Sequence, residues 1–288
     1  MMNIFLESPE FEDIYIKGMN IDLHLIAKGD KNGIPLLFIP GITSYSYSFA
    51  ELLRKIPNDF YCLSLDVRGR GQSSWPEKGY KLNDYVDDLL NVINYLIGNK
   101  HNPIIIGHSM GARIGVAFAS QYSNLISGMV LIDPPINGPG QRDVYPNPLE
   151  EMFLKQKSAV DEGKMDLFKK LMPEGWSERQ ILQRANEYRN NSRNAIIESY
   201  QSLLYEPFHA HLKNVNVPML LLAAEFGDTI REDELELIKN LNPLLETELI
   251  KEVGHMIYKD NPDIVAQRIV SFGKSIERNS ERNEITNR

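Results

Sequence analysis

The stretch Pro103-Ile104-Ile105-Ile106-Gly107-His108-Ser109-Met110-Gly111-Ala112 indicates the fold more clearly than any other part of the chain. A short apolar run is followed by the spacing G-x-S-x-G and then by a helix-like pattern that continues to Gln121. This context predicts a sharp turn from strand to helix with Ser109 at its tip. The flanking glycines permit such a turn because a Cβ there would collide with neighbouring backbone. The turn also directs the unpaired N–H groups of the helix start toward the serine.

The rest of the chain alternates between strand and helix patterns around this turn. The predicted strands are 11–17, 21–27, 34–39, 60–66, 103–106, 126–132, 217–224 and 247–253. The predicted helices between and after them are 82–97, 112–121, 231–240 and 261–275. The first two strands form a hairpin in this prediction. The alternation predicts an α/β fold with a mostly parallel sheet of about eight strands and helices on both faces.

One long stretch departs from the alternation, because no strand pattern occurs between Asp133 and Val217. It opens with the break signal 134–140 and continues with helical patterns over 149–160, 164–171 and 178–204. We therefore predict a helical cap inserted at 138–212, which divides the core into 1–137 and 213–276. A polar tail, 277–288, follows. The cap is expected to lie over the carboxyl ends of the strands, above Ser109.

Composition limits the classes of function. A chain of 288 residues with 42% hydrophobic and 24% charged residues suits one large α/β domain with an insertion. The net charge of −8 argues against a nucleic-acid binder or an anionic-membrane binder, and no apolar stretch is long enough to span a bilayer. The N-terminus shows no signal-peptide pattern, and Cys62 is the single cysteine. We expect a cytoplasmic protein that takes a small-molecule substrate; its oligomeric state is left open.

A serine at such a turn becomes a nucleophile when a histidine removes its proton. His255 is the best candidate because it lies in a loop just past the last predicted strand, where catalytic groups of α/β sheets collect. His24 and His101 lie at unsuitable places, and His209 and His211 are expected at the surface. No other spacing indicates a metal site, so no cofactor or metal is expected.

The acid that orients this histidine has two candidates. Asp133 ends the strand 126–132, and Asp228 follows the strand 217–224. Both lie between Ser109 and His255, and so both obey the chain order Ser, Asp, His. Either carboxylate could instead cap a turn or a helix.

These segments resemble the α/β-hydrolase superfamily from roughly residue 19 to 274. The resemblance rests on the Gly107–Gly111 turn, on Pro40-Gly41, on 66–73 (DVRGRGQS) and on the late Gly254-His255. Many members carry the acid in a Gly-Glu-x-Asp pattern, but this chain reads Ala-Glu-Phe-Gly at 224–227. A minority, including deformylases that this chain resembles in several segments, place the acid one strand earlier. The resemblance therefore favours Asp133 and leaves Asp228 as the alternative.

Two backbone N–H groups are expected to hold the oxyanion. The residue after the nucleophile supplies one, Met110, and the resemblance implies that Ile42 supplies the other. Thr43, Ser44 and His108 are predicted to line the substrate pocket. The carboxylate of an acidic substrate should meet an arginine, for which Arg113, Arg142, Arg231 and the cap arginines all remain candidates.

The predicted reaction is acyl transfer to Ser109 from a small amide or ester, followed by hydrolysis. The resemblance favours a deformylase. A carboxylesterase, or a hydrolase that cleaves a carbon–carbon bond, is the alternative within enzymes, because the same fold and triad serve all of these reactions. A ligand-binding signalling protein that retains the triad is the alternative outside enzymes.

Overall fold

The computed structural model describes residues 10–18, 20–96, 101–138 and 149–286. Its strands form one sheet: β1 (Glu12–Ile16), β2 (Leu23–Gly29), β3 (Ile34–Ile39), β4 (Phe60–Asp66), β5 (Ile104–His108), β6 (Gly128–Ile132), β7 (Met219–Ala224) and β8 (Leu245–Ile250). The spatial order is β1-β2-β4-β3-β5-β6-β7-β8. β2 runs antiparallel to both β1 and β4, and all other neighbours are parallel. The predicted fold class and the N-terminal hairpin are confirmed.

The central strands are apolar throughout because both of their faces are covered. Every residue of β3, β5 and β7 is buried. Successive side chains point to opposite faces, so Leu37 and Ile105 belong to one core cluster while Phe38 and Ile106 belong to the other. This is the pattern expected of a parallel sheet between two helical layers.

The helices that accompany the sheet are α1 (Ala50–Lys55), α2 (Leu82–Leu96), α3 (Met110–Tyr122), α9 (Leu235–Lys239), α10 (Ile257–Asp260) and α11 (Pro262–Thr286). α11 extends well past residue 275, where its apolar pattern predicts an end, and continues into the segment predicted as a polar tail. The predicted helix 231–240 is a 3-10 turn, Glu232–Glu234, followed by α9.

Five helices occupy the stretch between β6 and β7: α4 (Leu149–Asp161), α5 (Met165–Lys170), α6 (Glu178–Arg189), α7 (Arg193–Tyr205) and α8 (Phe208–Leu212). The single helix predicted over 178–204 is divided because Ser192 caps α7, accepting a hydrogen bond from the N–H of Ala195. The predicted break at 134–140 lies partly outside the described residues, since 139–148 are not described.

These helices, called the cap here, have a small core of their own. Phe168 packs edge-to-face on Tyr188 with ring centroids 5.9 Å apart, and both rings are fully buried. Residues of α6 and α7 also contact the loops that leave β3 and β4, as described below. The limits of the cap at 138 and 212 remain a prediction.

The topology brings four chain segments to one edge of the sheet. β3, β5, β6 and β7 are parallel neighbours, so the turns after their carboxyl ends lie side by side. Ser109 and Asp133 directly follow the registered pair His108 and Ile132. Since parallel neighbours are spaced by about 4.8 Å, these two residues lie next to each other at that edge.

Candidate active site

Ser109 adopts the strained backbone that its sequence context predicts. Its φ is +52° and its ψ is −117°, in the left-handed half of the map that non-glycine residues rarely adopt. The strain is held by the N–H of Ser109, which donates to the Ile132 carbonyl at 3.0 Å, and by tight packing of the flanking glycines. A Cβ at Gly107 would lie 2.5 Å from the backbone of Ala112, and one at Gly111 would lie 2.0 Å from the Ile39 carbonyl oxygen.

His255 and Asp133 are in direct contact. The Nδ1 of His255 lies 2.6 Å from Asp133 Oδ2. Asp133 is completely buried, and its other oxygen accepts from the Ala224 N–H at 3.0 Å. Because the carboxylate is fixed on both oxygens, it can hold the imidazole with Nδ1–H toward itself and Nε2 available to accept a proton.

Asp228 does not occupy this position. Its side chain is 69% exposed and forms an ion pair with Arg231 at 2.8 Å. The residue before it explains the altered Gly-Glu-x-Asp pattern: a Cβ at Gly227 would lie 2.6 Å from Asp133 Oδ2. The carboxylate of Asp133 therefore fills the space that a side chain at 227 would need.

Thr229 is a second polar neighbour of the imidazole, and sequence reasoning missed it. Its Oγ1 lies 3.1 Å from His255 Nδ1 and 3.3 Å from the carbonyl oxygen of Gly227, to which it donates. The hydroxyl can therefore accept from the Nδ1–H while it donates to the carbonyl. No sequence signal distinguished this buried threonine from others in loops.

His108 packs against His255, and its role in lining the substrate pocket stays a prediction. Their ring centroids are 4.7 Å apart, and Nε2–H of His108 donates to the backbone carbonyl of His255 at 3.0 Å. Burial and the nearby charge of His255 hold the pKa of His108 well below its usual range, so this ring stays neutral. A Cβ at Gly41 would come within 2.9 Å of its Nδ1.

The two expected oxyanion donors lie in segments that pack together beside Ser109. Gly111 contacts the end of β3, and a Cβ at Gly41 would lie 3.4 Å from Ser109 Cβ. Within the described part of the chain, neither the Ile42 N–H nor the Met110 N–H donates to a protein acceptor. The Gly41 carbonyl accepts from the Ser44 N–H at 3.1 Å, which fixes the plane of the peptide that carries the Ile42 N–H.

The side chains of Thr43 and Ser44 are buried, and their pocket role stays a prediction. The hydroxyl of Thr43 accepts from Arg184 Nη2 at 2.6 Å, and its carbonyl accepts from Arg184 Nη1 at 3.2 Å. Arg184 belongs to α6 and also pairs with Glu187 at 2.7 Å. Through these contacts the cap reaches the turn after β3.

Two of the arginines considered for a substrate carboxylate, Arg113 and Arg231, have partners within the protein. Arg113 donates to Pro135 and Asn137 at the start of the cap segment and to the Glu206 carbonyl at its end. Arg231 pairs with Asp228 as noted, and Arg142 lies outside the described residues.

Two buried arginines, Arg70 and Arg184, lie beside the turn after β3. Arg184 was predicted only as one of the cap arginines that could meet a substrate carboxylate, and Arg70 was not singled out. The only signal for Arg70 was its place between two glycines in a turn after a strand.

A cleft of about 660 Å³ lies between α6 and the loops that follow Ile42 and His255. Its walls include Tyr45 and Tyr47 from one loop, Met256 and Lys259 from the other, and Trp176 from the cap. Neither Ser109 nor His255 itself lines it, so the cleft lies beside the reactive groups.

The other titratable side chains of the described residues form no second candidate catalytic or metal site. No cluster of three or more histidine, cysteine or acidic side chains there is arranged to hold a metal ion. His209 is buried rather than at the surface as predicted, because its ring packs where a Cβ of Gly138 would lie. Burial raises the pKa of the Cys62 thiol to about 12. No helix in the described ranges has the length and apolar character to cross a membrane.

Comparison with known proteins identifies the family. The model of the α/β hydrolase fold family matches residues 34–262, which is most of the chain. The protein belongs to the α/β hydrolases. Its relatives in this family are named as hydrolases and deformylases, and the chain is accordingly a hydrolase.

Two relatives are informative about this α/β hydrolase. The N-formylmaleamate deformylase of Pseudomonas putida KT2440 is 28% identical over 249 residues, which cover 86% of this chain and 91% of that protein. The crystal structure of the N-formylmaleamic acid deformylase of Pseudomonas putida S16 superposes with a TM-score of 0.78 at 29% identity, covering 88% of this chain and 99% of the other. This confirms the resemblance to deformylases that the sequence suggested.

A third relative matches over a shorter stretch. The 2-(acetamidomethylene)succinate hydrolase of Mesorhizobium japonicum is 40% identical over 113 residues, 39% of each chain.

Proposed function

We propose that this α/β hydrolase is a serine hydrolase that needs no cofactor and that transfers an acyl group from a small amide or ester to water. Ser109 is the nucleophile, His255 the general base and acid, and Asp133 the group that orients His255. The observation that carries the proposal is the 2.6 Å contact of His255 Nδ1 with the buried Asp133 carboxylate, beside a serine held at positive φ. Asp228 keeps no part in this scheme.

In the first step Ser109 Oγ attacks the substrate carbonyl carbon as its proton passes to His255 Nε2. The imidazolium that forms is stabilised by Asp133, which accepts from Nδ1–H and remains ionised. His255 then gives the proton to the leaving nitrogen or oxygen, and the bond between that atom and the carbonyl carbon breaks. An acyl group remains on Ser109. Water repeats the sequence, releasing the acid and restoring the serine.

The oxyanion of each tetrahedral intermediate is held by the N–H groups of Ile42 and Met110. The peptide that carries the Ile42 N–H is fixed by the hydrogen bond from the Ser44 N–H to the Gly41 carbonyl, and the start of α3 packs closely on the end of β3 at Gly111. Donors held in this way need no rearrangement during the reaction. The neutral state of His108 keeps a second positive charge away from the imidazolium. A serine nucleophile beside two oxyanion donors supports acyl transfer to the serine more than a reaction in which His255 would act only as a base.

For the substrate class, we infer an N-acyl compound that carries an acid group. The names of both relatives denote this chemistry: one is a deformylase of N-formylmaleamate, and the other hydrolyses an acetamido-substituted succinate. The preferred assignment is a deformylase, with formyl as the acyl group and an amide nitrogen as the leaving atom. Carboxylesterase and carbon–carbon hydrolase activities are the alternatives, and a ligand-binding role with a retained triad is the non-enzymatic one.

The test is formate release from N-formylmaleamate by the purified protein, with Ser109→Ala as the control. Rapid release by the native protein and none by Ser109→Ala supports the proposal. Formate release that persists in Ser109→Ala contradicts the assignment of the nucleophile. No release, together with Ser109-dependent hydrolysis of p-nitrophenyl acetate, would reject the deformylase and retain the serine hydrolase.

We also infer a cytoplasmic location, because the single cysteine is a buried thiol and a disulfide within the chain is impossible. Residence of the expressed protein in a cytoplasmic fraction of its own cell tests this.

A further inference from the structure

Arg70 is a buried cation with unusual surroundings. Its side chain is fully buried, and no carboxylate among the described residues forms an ion pair with it. Its neighbour Arg68 differs, because Nε and Nη2 of Arg68 bind both oxygens of Asp88 at 2.6 and 2.7 Å. A buried guanidinium without a counter-ion is costly, so its retention calls for another role.

One nitrogen of Arg70, Nη2, contacts both residues expected to hold the oxyanion, while Nη1 donates to the Arg68 carbonyl at 3.0 Å and to the Tyr85 hydroxyl. Nη2 donates to the Ile42 carbonyl at 3.0 Å and lies 4.0 Å from Met110 Sδ. The same nitrogen lies 3.4 Å from the Ala195 carbonyl and 3.3 Å from Ser199 Oγ, both on the cap helix α7. One planar group thus joins the turn after β3, the start of α3 and the cap.

We infer that Arg70 is a positioning residue of the oxyanion hole: its guanidinium fixes the turn at Ile42 against Met110 and ties that turn to cap helix α7. This inference rests on the proposed function. The Gly41 carbonyl is fixed on one side by the Ser44 N–H, and the Ile42 carbonyl is fixed on the other by Arg70. Both peptide planes that flank Ile42 are therefore held, and the Ile42 N–H keeps one direction.

The positive charge of Arg70 also favours oxyanion binding, as does the position of its guanidinium. A cation behind the two donors, in a region that excludes water, favours negative charge on the oxygen they bind. Arg184 supports the adjacent residue from the cap in the same manner, through the carbonyl and hydroxyl of Thr43. The oxyanion turn is thereby fastened to α6 and α7, and its geometry depends on the docked cap.

The test compares Arg70→Met with Arg68→Met. Among the described residues the Arg68 side chain donates to Asp88 and to the Gly79 carbonyl and not to the turn after β3, and Arg68→Met keeps the backbone carbonyl that accepts from Arg70. Hydrolysis of p-nitrophenyl acetate is measured, with active sites counted by the burst of p-nitrophenolate from diethyl p-nitrophenyl phosphate. Counting active sites corrects for any misfolded fraction.

We expect Arg70→Met to lower kcat per active site by about 10- to 100-fold with KM changed less than about threefold, because the lost interaction acts in the transition state. The pKa on the acid limb of the pH profile should stay at the native value, since His255 and Asp133 are untouched. Arg70→Lys keeps a charge but lacks the planar fork, so it should restore only part of kcat.

Three results would overturn the inference. The first is a kcat of Arg70→Met, per active site, within twofold of the native value. The second is an equal loss in Arg68→Met, which would indicate a structural role shared by the loop. The third is full restoration by Arg70→Lys. If the native protein shows no Ser109-dependent turnover at all, the proposed function fails and the inference fails with it.

Discussion

The replacement of Asp133 by asparagine is the most informative perturbation of the proposed triad. Asparagine has the shape of aspartate, and its oxygen can still accept from the Ala224 N–H, which lies 3.0 Å from Oδ1. Its amide NH₂ then faces His255 Nδ1, which lies 2.6 Å from Oδ2 in the native protein. An NH₂ group can only donate, so Nδ1 must accept and the imidazole proton moves to Nε2. In that tautomer His255 cannot take the proton of Ser109.

The expected loss is about 10⁴-fold in kcat, the size that this change of tautomer produces in a triad. At 1.36 kcal/mol per factor of ten, this corresponds to about 5.4 kcal/mol of transition-state stabilisation. The fold should survive, because the hydrogen bond to Ala224 remains and the substitution keeps the side-chain volume. The assay is the initial rate with p-nitrophenyl acetate or N-formylmaleamate, with the melting temperature as a control for folding.

The matched control is Asp228→Asn. The carboxylate of Asp228 is mostly exposed and pairs with Arg231, an interaction worth roughly 0–1 kcal/mol of stability. Its replacement should leave kcat within about twofold of the native value, because no transition-state contact is lost. Loss of activity in Asp228→Asn with retention in Asp133→Asn would refute the reasoning about the acid.

Three further predictions concern His24, Gly41 and Thr229. Burial lowers the pKa of His24, but its hydrogen bonds to Asp66 and Asp13 raise it more, so its pKa in the folded protein is above the ordinary value. The stability that His24 contributes is therefore full below its pKa in the unfolded chain and is lost as the pH rises through its pKa in the folded protein. Urea unfolding should therefore show that His24→Gln costs more at pH 6 than at pH 9, and an equal cost at both would contradict this. Gly41→Ala should lower kcat at least about tenfold, because the new methyl would lie 2.9 Å from a ring nitrogen of the neighbouring histidine; an unchanged rate would show that the ring can yield. Thr229→Val should lower kcat by less than about tenfold, since it removes only the longer of the two contacts to the His255 imidazole; a loss as large as that of Asp133→Asn would show that Thr229 orients the imidazole as strongly as Asp133 does.

The fold could be predicted from sequence because its decisive features are local. Gly107 and Gly111 are required by contacts within a few residues of Ser109 or with the adjacent strand, and the apolar runs of the central strands follow from burial on both faces. Helix ends were less predictable. Ser192 caps α7 in the middle of a continuous helical pattern, and α11 continues through polar residues past its apolar stripe.

The acid could not be chosen from spacing alone, because Asp133 and Asp228 both follow strands. Which of the two reaches His255 depends on the order of β6 and β7 in the sheet and on the space that Gly227 leaves for the Asp133 carboxylate. Both are properties of the assembled sheet. The resemblance favoured Asp133, and the 2.6 Å contact of its carboxylate with His255 Nδ1 supports that proposal.

The burial of Arg70 was not predictable, since a sequence does not reveal whether an arginine in a glycine-rich turn is exposed or buried. A sequence also does not reveal that none of the described carboxylates pairs with this arginine. Its neighbour Arg68 pairs with Asp88 on α2, and Asp66 binds His24. Thr229 was missed because its partner His255 is distant in the chain. Arg184 was included only among the cap arginines, because the sequence did not show that it contacts Thr43.

The central claim is that Ser109 is an activated nucleophile. It is tested most directly by treating the native protein with a fluorophosphonate and mapping the adduct by peptide mass spectrometry. The account predicts one stoichiometric adduct on the peptide that contains Ser109, rapid labelling at neutral pH, and none in Ser109→Ala. Failure of the folded native protein to label, or an adduct on another residue that persists in Ser109→Ala, would contradict it.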